Sequence, residues 1–273
     1  MTTLLTYAEF LGVFLGPPIA LLLLSRRDYG AALLTGAAVL CIVGVLYTAP
    51  WGSLLIGRGV WWYGDGAVLG RVFLVPVEEY AFMVLQTVLT ALWVALVRSR
   101  RTTAAGDTVD TGMTASEDSW ASLSWRTRIA GAAVALSVGI LGAAMLSAES
   151  TFYMGAILVW ASPVLAVQWA FGWPHLWRNR RLVATAVGVP TVYLAAADRV
   201  AIELGIWVIS SRYTTGILVG GLPIEEGAFF FLTNVFVVQG LLLYLWVVDP
   251  ATPSTGSARE QSTSNRRSGG TSP

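Results

Sequence analysis

Long apolar stretches, separated by short groups of charged residues, constrain this sequence more than any other feature. A bilayer core roughly 30 Å thick needs about 20 apolar residues per helix, and several stretches reach or approach that length. Only 12% of the residues are charged, whereas 55% are hydrophobic, a composition typical of membrane proteins. We therefore predict an all-α integral membrane protein with about seven transmembrane helices. The predicted spans are residues 7–24, 31–47, 68–97, 129–146, 153–171, 182–197 and 216–246.

The basic residues, all of them arginine, predict how these helices are oriented. Three groups of them fall in alternate connections, which the positive-inside rule places in the cytoplasm. The protein is then multi-pass in the cell membrane, with its N-terminus outside and its C-terminus cytoplasmic. The absence of lysine excludes the retinal-binding opsins, because their Schiff base needs a lysine amine. The basic groups are Arg26 and Arg27, then Arg98, Arg100 and Arg101 with Arg126 and Arg128, and finally Arg178, Arg180 and Arg181 beside His175.

An internal repeat relates the two halves of the chain at a shift of 146 residues. One inserted residue later, Val-Pro-Val-Glu-Glu at 75–79 aligns with Leu-Pro-Ile-Glu-Glu at 222–226. Three helices return the chain to the opposite side, so a second copy in the same orientation needs one extra crossing. Parallel repeats of this kind put equivalent residues at equal depth near a shared interface. The matched pairs are Tyr7 with Tyr153, Pro17 with Pro163, Tyr47 with Tyr193, Gly59 with Gly205 and Trp61 with Trp207.

The repeat and the polar stretches together predict the domain organisation. The polar stretches, rich in Ser, Thr, Gly and Asp or Arg, cannot bury enough apolar surface to fold alone. The predicted parts are a first three-helix repeat at 1–98, a cytoplasmic linker at 99–128, a connecting transmembrane helix at 129–148, a second three-helix repeat at 149–248 and a disordered cytoplasmic tail at 249–273.

The candidate catalytic residues are Glu78, Glu79, Glu225 and Glu226. Each pair sits about eight to ten residues into an apolar stretch, which at about 1.5 Å per residue is roughly 12–15 Å below its outer end. Carboxyl groups at such depth nearly always face a bundle interior or a cavity. We therefore expect all four to converge on one cavity between the halves. A structural network of shared protons or arginine pairs is the alternative.

Pro76 and Pro223 precede these acids and should break or kink each span, because proline lacks an N–H. A half-helix would then begin at each proline, with the glutamates in its first turn near the positive end of the dipole. Burial and mutual proximity favour the protonated form, so one site would hold both an acid and a base.

Aromatic residues accompany the acids in two places. Phe82 shares a helix face with Glu79, while Phe229 and Phe230 lie beside Glu226. Aromatic faces beside an acid suit a cationic intermediate, although core packing explains such spacing equally well. Further aromatics lie in the predicted outer loops at 48–67 and 198–215, where they serve either as interfacial anchors or as substrate contacts. These are Trp61, Trp62 and Trp207.

With these motifs in view, the chain resembles the carotenoid-cyclase-domain family, the heterodimeric or fused type of lycopene beta-cyclase. The resemblance covers about residues 7–246 and rests on the motifs at 75–80 and 222–227, and the fused form fits this chain. One position departs, since the family pattern reads Pro-Trp-Asp where Pro50, Trp51 and Gly52 stand here. The repeat mate of Gly52 is Asp198, which the resemblance makes a supporting residue; a solvated helix end is the alternative.

The resemblance implies a redox-neutral, cofactor-free closure of the linear ends of lycopene into beta-rings. An acid protonates the terminal double bond, the neighbouring double bond attacks the tertiary cation, and a base removes a ring proton. In keeping with this, the chain has no Gly-x-Gly-x-x-Gly fingerprint and no paired Asp-rich motifs for magnesium. The implied partners are a lipid-soluble polyene such as lycopene or gamma-carotene and the membrane lipids, with no nucleic acid and no metal. A homo-oligomer and contacts with other carotenoid enzymes stay open.

Two functions from other classes remain open on the sequence. A proton-coupled transporter also combines broken helices with acids near mid-membrane, but it would more often line an aqueous path with polar side chains. A non-catalytic carotenoid-binding subunit needs the aromatic lining but has little reason to bury four carboxyl groups.

Overall fold

The part of the chain that the computed structural model describes, residues 5–25, 29–105 and 123–248, is almost entirely helical. Its first half comprises α1 (Tyr7–Phe14), α2 (Gly16–Ser25), α3 (Ala31–Arg58), β1 (Trp61–Tyr63), β2 (Arg71–Val72), β3 (Val75–Pro76) and α4 (Val77–Ala105). The rest comprises α5 (Trp125–Met145), α6 (Phe152–Arg178), α7 (Arg180–Glu203), β4 (Trp207–Ile209), β5 (Leu218–Val219), β6 (Leu222–Pro223) and α8 (Ile224–Val248).

These helices form seven rods within the described residues when α1 and α2 count as one span, broken where Pro17 and Pro18 follow Gly16. Six of the seven are long and apolar enough to cross a membrane. The seventh, α7, has 24 residues and carries charged groups near both ends. The prediction of an all-α membrane protein with about seven helices is confirmed.

Two glycines set the C-terminal ends of α3 and α7. Gly59 has φ 74° and Gly205 has φ 71°, a left-handed conformation that glycine adopts without steric cost and that commonly ends helices. Both helices therefore run further than predicted, and Pro50 lies inside α3. The predicted loops at 48–67 and 198–215 begin too early, and Asp198 lies on a helix.

Short hairpins replace the predicted helical segments before the two glutamate pairs. Strand β2 pairs with β3, and β5 pairs with β6, each antiparallel. The predicted helix over 68–76 and its counterpart over 216–223 are therefore wrong. The depth of the glutamates derived from a helical rise through these residues is therefore wrong as well. An apolar stretch of this length is compatible with short strands as well as with a helix.

A third strand pair joins the two halves around an approximate two-fold axis. Strand β1 pairs antiparallel with β4, with Trp62 opposite Val208 at the centre. These two residues are mates in the 146-residue repeat, so the axis passes between them. The flanking pairs exchange accordingly: Trp61 lies opposite Ile209, and Tyr63 lies opposite Trp207.

Helix packing follows the same reciprocity, since α3 contacts α8 and α4 contacts α7. The connecting helix α5 packs instead along α6, where the two backbones approach closely at Gly142 and Gly155. Small residues permit such approach between membrane helices. The buried apolar core therefore lies between α3, α4, α6, α7 and α8, and a second cluster includes α1.

The polar stretches lie mostly outside the described residues. This holds for Arg26 and Arg27, for residues 106–122 of the predicted linker and for the predicted tail at 249–273. Helix α4 runs to Ala105 and α5 begins at Trp125, so both helices extend into the predicted linker.

Candidate active site

The two Pro-x-Glu-Glu motifs each start a helix directly after a hairpin. Helix α4 begins one residue after Pro76, and α8 begins one residue after Pro223. The freed first N–H groups bond back to the preceding loops, from Val77 to the Gly70 carbonyl and from Ile224 to the Ile217 carbonyl, each at 3.0 Å. The glutamates lie in the first turn, as predicted.

One glutamate of each pair faces a shared cavity. Glu79 reaches it from α4, Glu226 from α8 and Asp198 from α7. The cavity therefore draws its acids from both repeats. Its other lining residues are Tyr7, Thr48, Trp51, Gly52, Ile56, Trp61, Tyr63, Val75, Phe82, Met83, Tyr153, Trp207, Ile209, Phe229 and Phe230.

Glu79 is held by two phenols. The hydroxyls of Tyr7 and Tyr63 donate to its Oε2 at 2.8 and 3.0 Å. The indole of Trp61 in turn donates to the Tyr63 oxygen at 3.1 Å. Burial, and next the charge of Glu79, raise the pKa of Tyr63 well above its ordinary value. Tyr63 therefore stays a neutral phenol that donates to the carboxyl group.

Asp198 and Glu226 have a poorer supply of donors. The Trp207 indole donates to Asp198 Oδ1 at 2.8 Å, and the phenol of Tyr153 bonds to Glu226. One oxygen of each carboxyl group, Oδ2 of Asp198 and Oε1 of Glu226, is buried without a hydrogen-bond partner. The two groups repel each other when both are charged. A shared proton would relieve that repulsion.

The other two glutamates serve different contacts. Glu78 Oε1 accepts from the Leu69 N–H at 2.6 Å, and Glu225 Oε1 accepts from the Thr215 N–H at 2.7 Å. Neither is among the residues that line the shared cavity. The prediction that all four carboxyl groups converge is therefore wrong, because neighbours on a helix point about 100° apart.

Five of the six predicted aromatic site residues line the shared cavity, and one does not. Phe82, Phe229, Phe230, Trp61 and Trp207 line the cavity. Trp62 does not, because the alternation along β1 turns it away and leaves it 47% exposed.

Two tryptophans that were not among the predicted site residues complete the aromatic wall. Trp51 stacks on Trp160 with ring centroids 4.8 Å apart, and both stack on Phe229 at 5.9 and 5.8 Å. Trp51 belongs to the shared cavity, and Trp160 to a neighbouring one. The Trp160 indole nitrogen is buried without a hydrogen-bond partner.

The neighbouring cavity continues from the first between α3, α4, α6 and α8. The residues that line both are Thr48, Glu79, Phe82, Met83 and Phe229. Its wall on α3 includes Val43, which is 55% exposed at the outer surface of the bundle. The space beside the acids therefore extends toward the lipid-facing side.

Three tyrosines were missed by sequence reasoning. Tyr7 and Tyr153 are repeat mates, and each bonds to the cavity glutamate of its own half. Their matching positions were a usable signal. Tyr63 offered no such signal, because its mate in the repeat is Ile209. Among the described residues, no cluster of three or more His, Cys, Asp or Glu side chains is arranged to hold a metal ion.

Comparisons with known proteins identify relatives that are similar over most of this chain. The lycopene beta-cyclase of Halobacterium salinarum is 49% identical over 251 residues, which cover 91% of this chain and 98% of that protein. The bifunctional lycopene cyclase/phytoene synthase of Arthroderma gypseum is 33% identical over 231 residues, or 82% of this chain and 39% of the fungal protein. A similar fungal protein from Phaeosphaeria nodorum is 34% identical over 238 residues, or 84% of this chain and 39% of its own length.

No solved structure matches the chain. The model of one family, described as Lycopene cyclase, matches residues 3–97 and 150–246. These two ranges contain both Pro-x-Glu-Glu motifs, both cavity glutamates and Asp198. This chain therefore belongs to the lycopene cyclase family.

Proposed function

We propose that this protein is a lycopene beta-cyclase, an intramolecular lyase that closes the linear ends of lycopene into beta-rings on the route to beta-carotene. Membership of the family and the similarity to the Halobacterium salinarum protein support this activity. The observation that carries the proposal is one cavity in which Glu79, Asp198 and Glu226 face aromatic walls. The two matched ranges also support a division into two repeats.

The reaction needs only proton transfers and an environment that stabilises a cation. A carboxylic acid gives its proton to the terminal double bond, which leaves a tertiary cation. The neighbouring double bond attacks that cation, forms the ring bond and moves the positive charge into the ring. A carboxylate then removes a ring proton, so the product is an isomer of the substrate. General acid–base groups of this kind typically contribute about 10²–10⁴-fold in rate.

The aromatic wall suits the cationic stages. The faces of Trp51 and Phe229 present negative electrostatic potential to a nearby cation, an attraction of about 2 kcal/mol or more in a desolvated site. They also exclude water, which would otherwise add to the cation. Phe82 and Phe230 meet edge to face across the two halves, with ring centroids 6.1 Å apart.

Access from the lipid follows from the substrate. A polyene hydrocarbon is dissolved in the bilayer, so it must enter between helices. The second cavity, with exposed Val43 on one wall and Glu79 at its inner end, supports entry beside α3. Lycopene and the half-cyclised gamma-carotene both carry the linear end that this route would admit.

The proposed orientation places the N-terminus outside and the C-terminus in the cytoplasm of a cell-membrane protein. The distribution of arginines supports it. Reporter fusions within residues 106–122 should be active on the cytoplasmic side, and fusions between Gly64 and Gly66 on the outside. The reversed pattern would overturn the orientation and leave the activity open.

Expression in cells that accumulate lycopene is the direct test of activity. We expect chromatography of the extracted pigments to show loss of lycopene and appearance of beta-carotene, with gamma-carotene as an intermediate. Cells with an empty vector should retain lycopene. Unchanged lycopene in cells whose membranes contain the full-length protein would overturn the proposal.

A further inference from the structure

The two halves of the cavity are related by the repeat, yet two of the positions at which they differ lie beside the equivalent tryptophans, Trp61 and Trp207. Asp198 in the second half corresponds to Gly52 in the first, and Ile209 in the second half corresponds to Tyr63 in the first. All four residues line the cavity. At these two positions the second half has a carboxyl group that the first lacks, and the first half has a phenol that the second lacks.

Because of these differences, the equivalent tryptophans Trp61 and Trp207 donate to different acceptors. In the second half, the Trp207 indole donates to the Asp198 carboxyl group at 2.8 Å. In the first half, Gly52 offers no acceptor, and the Trp61 indole donates instead to the Tyr63 hydroxyl at 3.1 Å. The Tyr63 hydroxyl in turn donates a hydrogen bond to Glu79 Oε2 at 3.0 Å. Tyr63 thus accepts the indole hydrogen bond of Trp61, as Asp198 does for Trp207. Unlike Asp198, it also links its tryptophan to Glu79.

The three acids differ in the number of hydrogen-bond donors that stabilise their ionised form. Glu79 Oε2 accepts two phenol hydrogen bonds, and donors of this kind stabilise an ionised carboxylate. Asp198 and Glu226 instead each bury one oxygen without a donor. Two such carboxyl groups in one cavity are best accommodated when they hold one proton between them.

We propose that the halves divide the reaction, with the Asp198–Glu226 pair as the proton donor and Glu79, positioned by Tyr7 and Tyr63, as the base. This assignment rests on the proposed cyclase activity. The pair gives its proton to the terminal carbon–carbon double bond, and the ring bond forms from the next double bond. Glu79 takes the ring proton, whose bonding electrons become the new ring double bond. The proton then returns from Glu79 to the pair through the cavity that all three line, so no proton is consumed.

Loss of the acid and displacement of the base should give different products. Without its acid, the enzyme stops before ring closure and returns unchanged lycopene. With a displaced base, the ring cation still forms but loses a proton from another adjacent carbon, which gives rings with a shifted double bond. The ratio of ring isomers therefore separates a positioning residue of the base from a residue that merely supports the fold.

The test compares Tyr63→Phe, Tyr7→Phe and Asp198→Asn in lycopene-accumulating cells, with product isomers resolved by chromatography. We expect Tyr63→Phe and Tyr7→Phe to lower ring yield about 10- to 100-fold, as for loss of one hydrogen bond to a charged group, and to raise the share of shifted-double-bond rings. We expect Asp198→Asn to lower yield about 10²–10⁴-fold, and any rings formed to be beta-rings only.

Tyr80→Phe is the matched control, because the Tyr80 hydroxyl donates to the Val72 carbonyl at 3.2 Å, away from Glu79. It should leave both yield and isomer ratio unchanged, and immunoblots should show equal protein in all variants. Beta-rings alone from both Tyr7→Phe and Tyr63→Phe, or shifted rings from Asp198→Asn, would overturn the division. A wild-type protein that makes no rings would instead overturn the proposed activity.

Discussion

Replacing Glu79 or Glu226 by glutamine should abolish ring formation while the protein still accumulates in the membrane. The amide keeps the size of the side chain and an oxygen that accepts hydrogen bonds, but it neither gives nor takes the proton that the reaction moves. Loss of a general acid or base typically lowers the rate about 10²–10⁴-fold, and loss of the sole donor lowers it further. The measurement is carotenoid composition by chromatography, scaled to the amount of protein in the membrane.

Glu203→Gln is the matched control for this pair of variants. Glu203 is exposed and its carboxyl group bonds to Arg199 at 2.6 Å, an ion pair of a kind that contributes about 0–1 kcal/mol at a surface. The Glu203→Gln variant should cyclise lycopene at the wild-type rate. Near-normal turnover by both Glu79→Gln and Glu226→Gln would mean that these glutamates form a structural network.

Deuterated water gives a second measurement of the same step. We expect the proton that Glu79 returns to the donor pair to exchange with solvent between turnovers, so rings newly formed in deuterated water should carry deuterium at the carbon that is first protonated. Mass spectrometry of the beta-carotene fraction detects this label. Rings without solvent deuterium would contradict proton donation by an exchangeable carboxyl group.

The start of each glutamate helix was predictable because proline chemistry is local. Pro76 and Pro223 lack the N–H that a helix interior needs, so the sequence alone places a helix start after each. The hairpins that precede them were not predictable from hydropathy. Residues 68–76 continue an apolar stretch, and periodicity cannot separate a short buried strand from a turn of helix there.

The repeat predicted the symmetry of the site and one part of its asymmetry, the match of Gly52 with Asp198. It correctly matches Tyr7 with Tyr153, which hold the cavity glutamates of their own halves. It also made both members of each glutamate pair look alike, because both recur. The hydrogen bonds that join the Tyr63 hydroxyl to Trp61 and Glu79 were not predictable, because no local pattern reveals such contacts.

The second pair of glutamates, Glu78 and Glu225, bonds to the loops that precede α4 and α8. Each accepts a backbone N–H from the loop before its helix, at 2.6 Å for Glu78 and 2.7 Å for Glu225. Glu225 is completely buried. We propose that these two residues hold the loops over the cavity and take no part in proton transfer.

Glu225→Gln should therefore retain ring formation, whereas its neighbour Glu226→Gln should lose it, a contrast of about 10²–10⁴-fold between adjacent positions. The Glu225→Gln amide oxygen still accepts the Thr215 N–H, so the loop remains attached. Glu225→Ala removes that acceptor, and a buried donor without a partner lowers the free energy of unfolding by about 1–3 kcal/mol. Thermal unfolding in detergent should show a lower midpoint for Glu225→Ala than for Glu225→Gln. If the Glu225→Gln variant accumulates normally and yet makes no rings, Glu225 takes part in proton transfer, and the proposal that it only holds the loop is wrong.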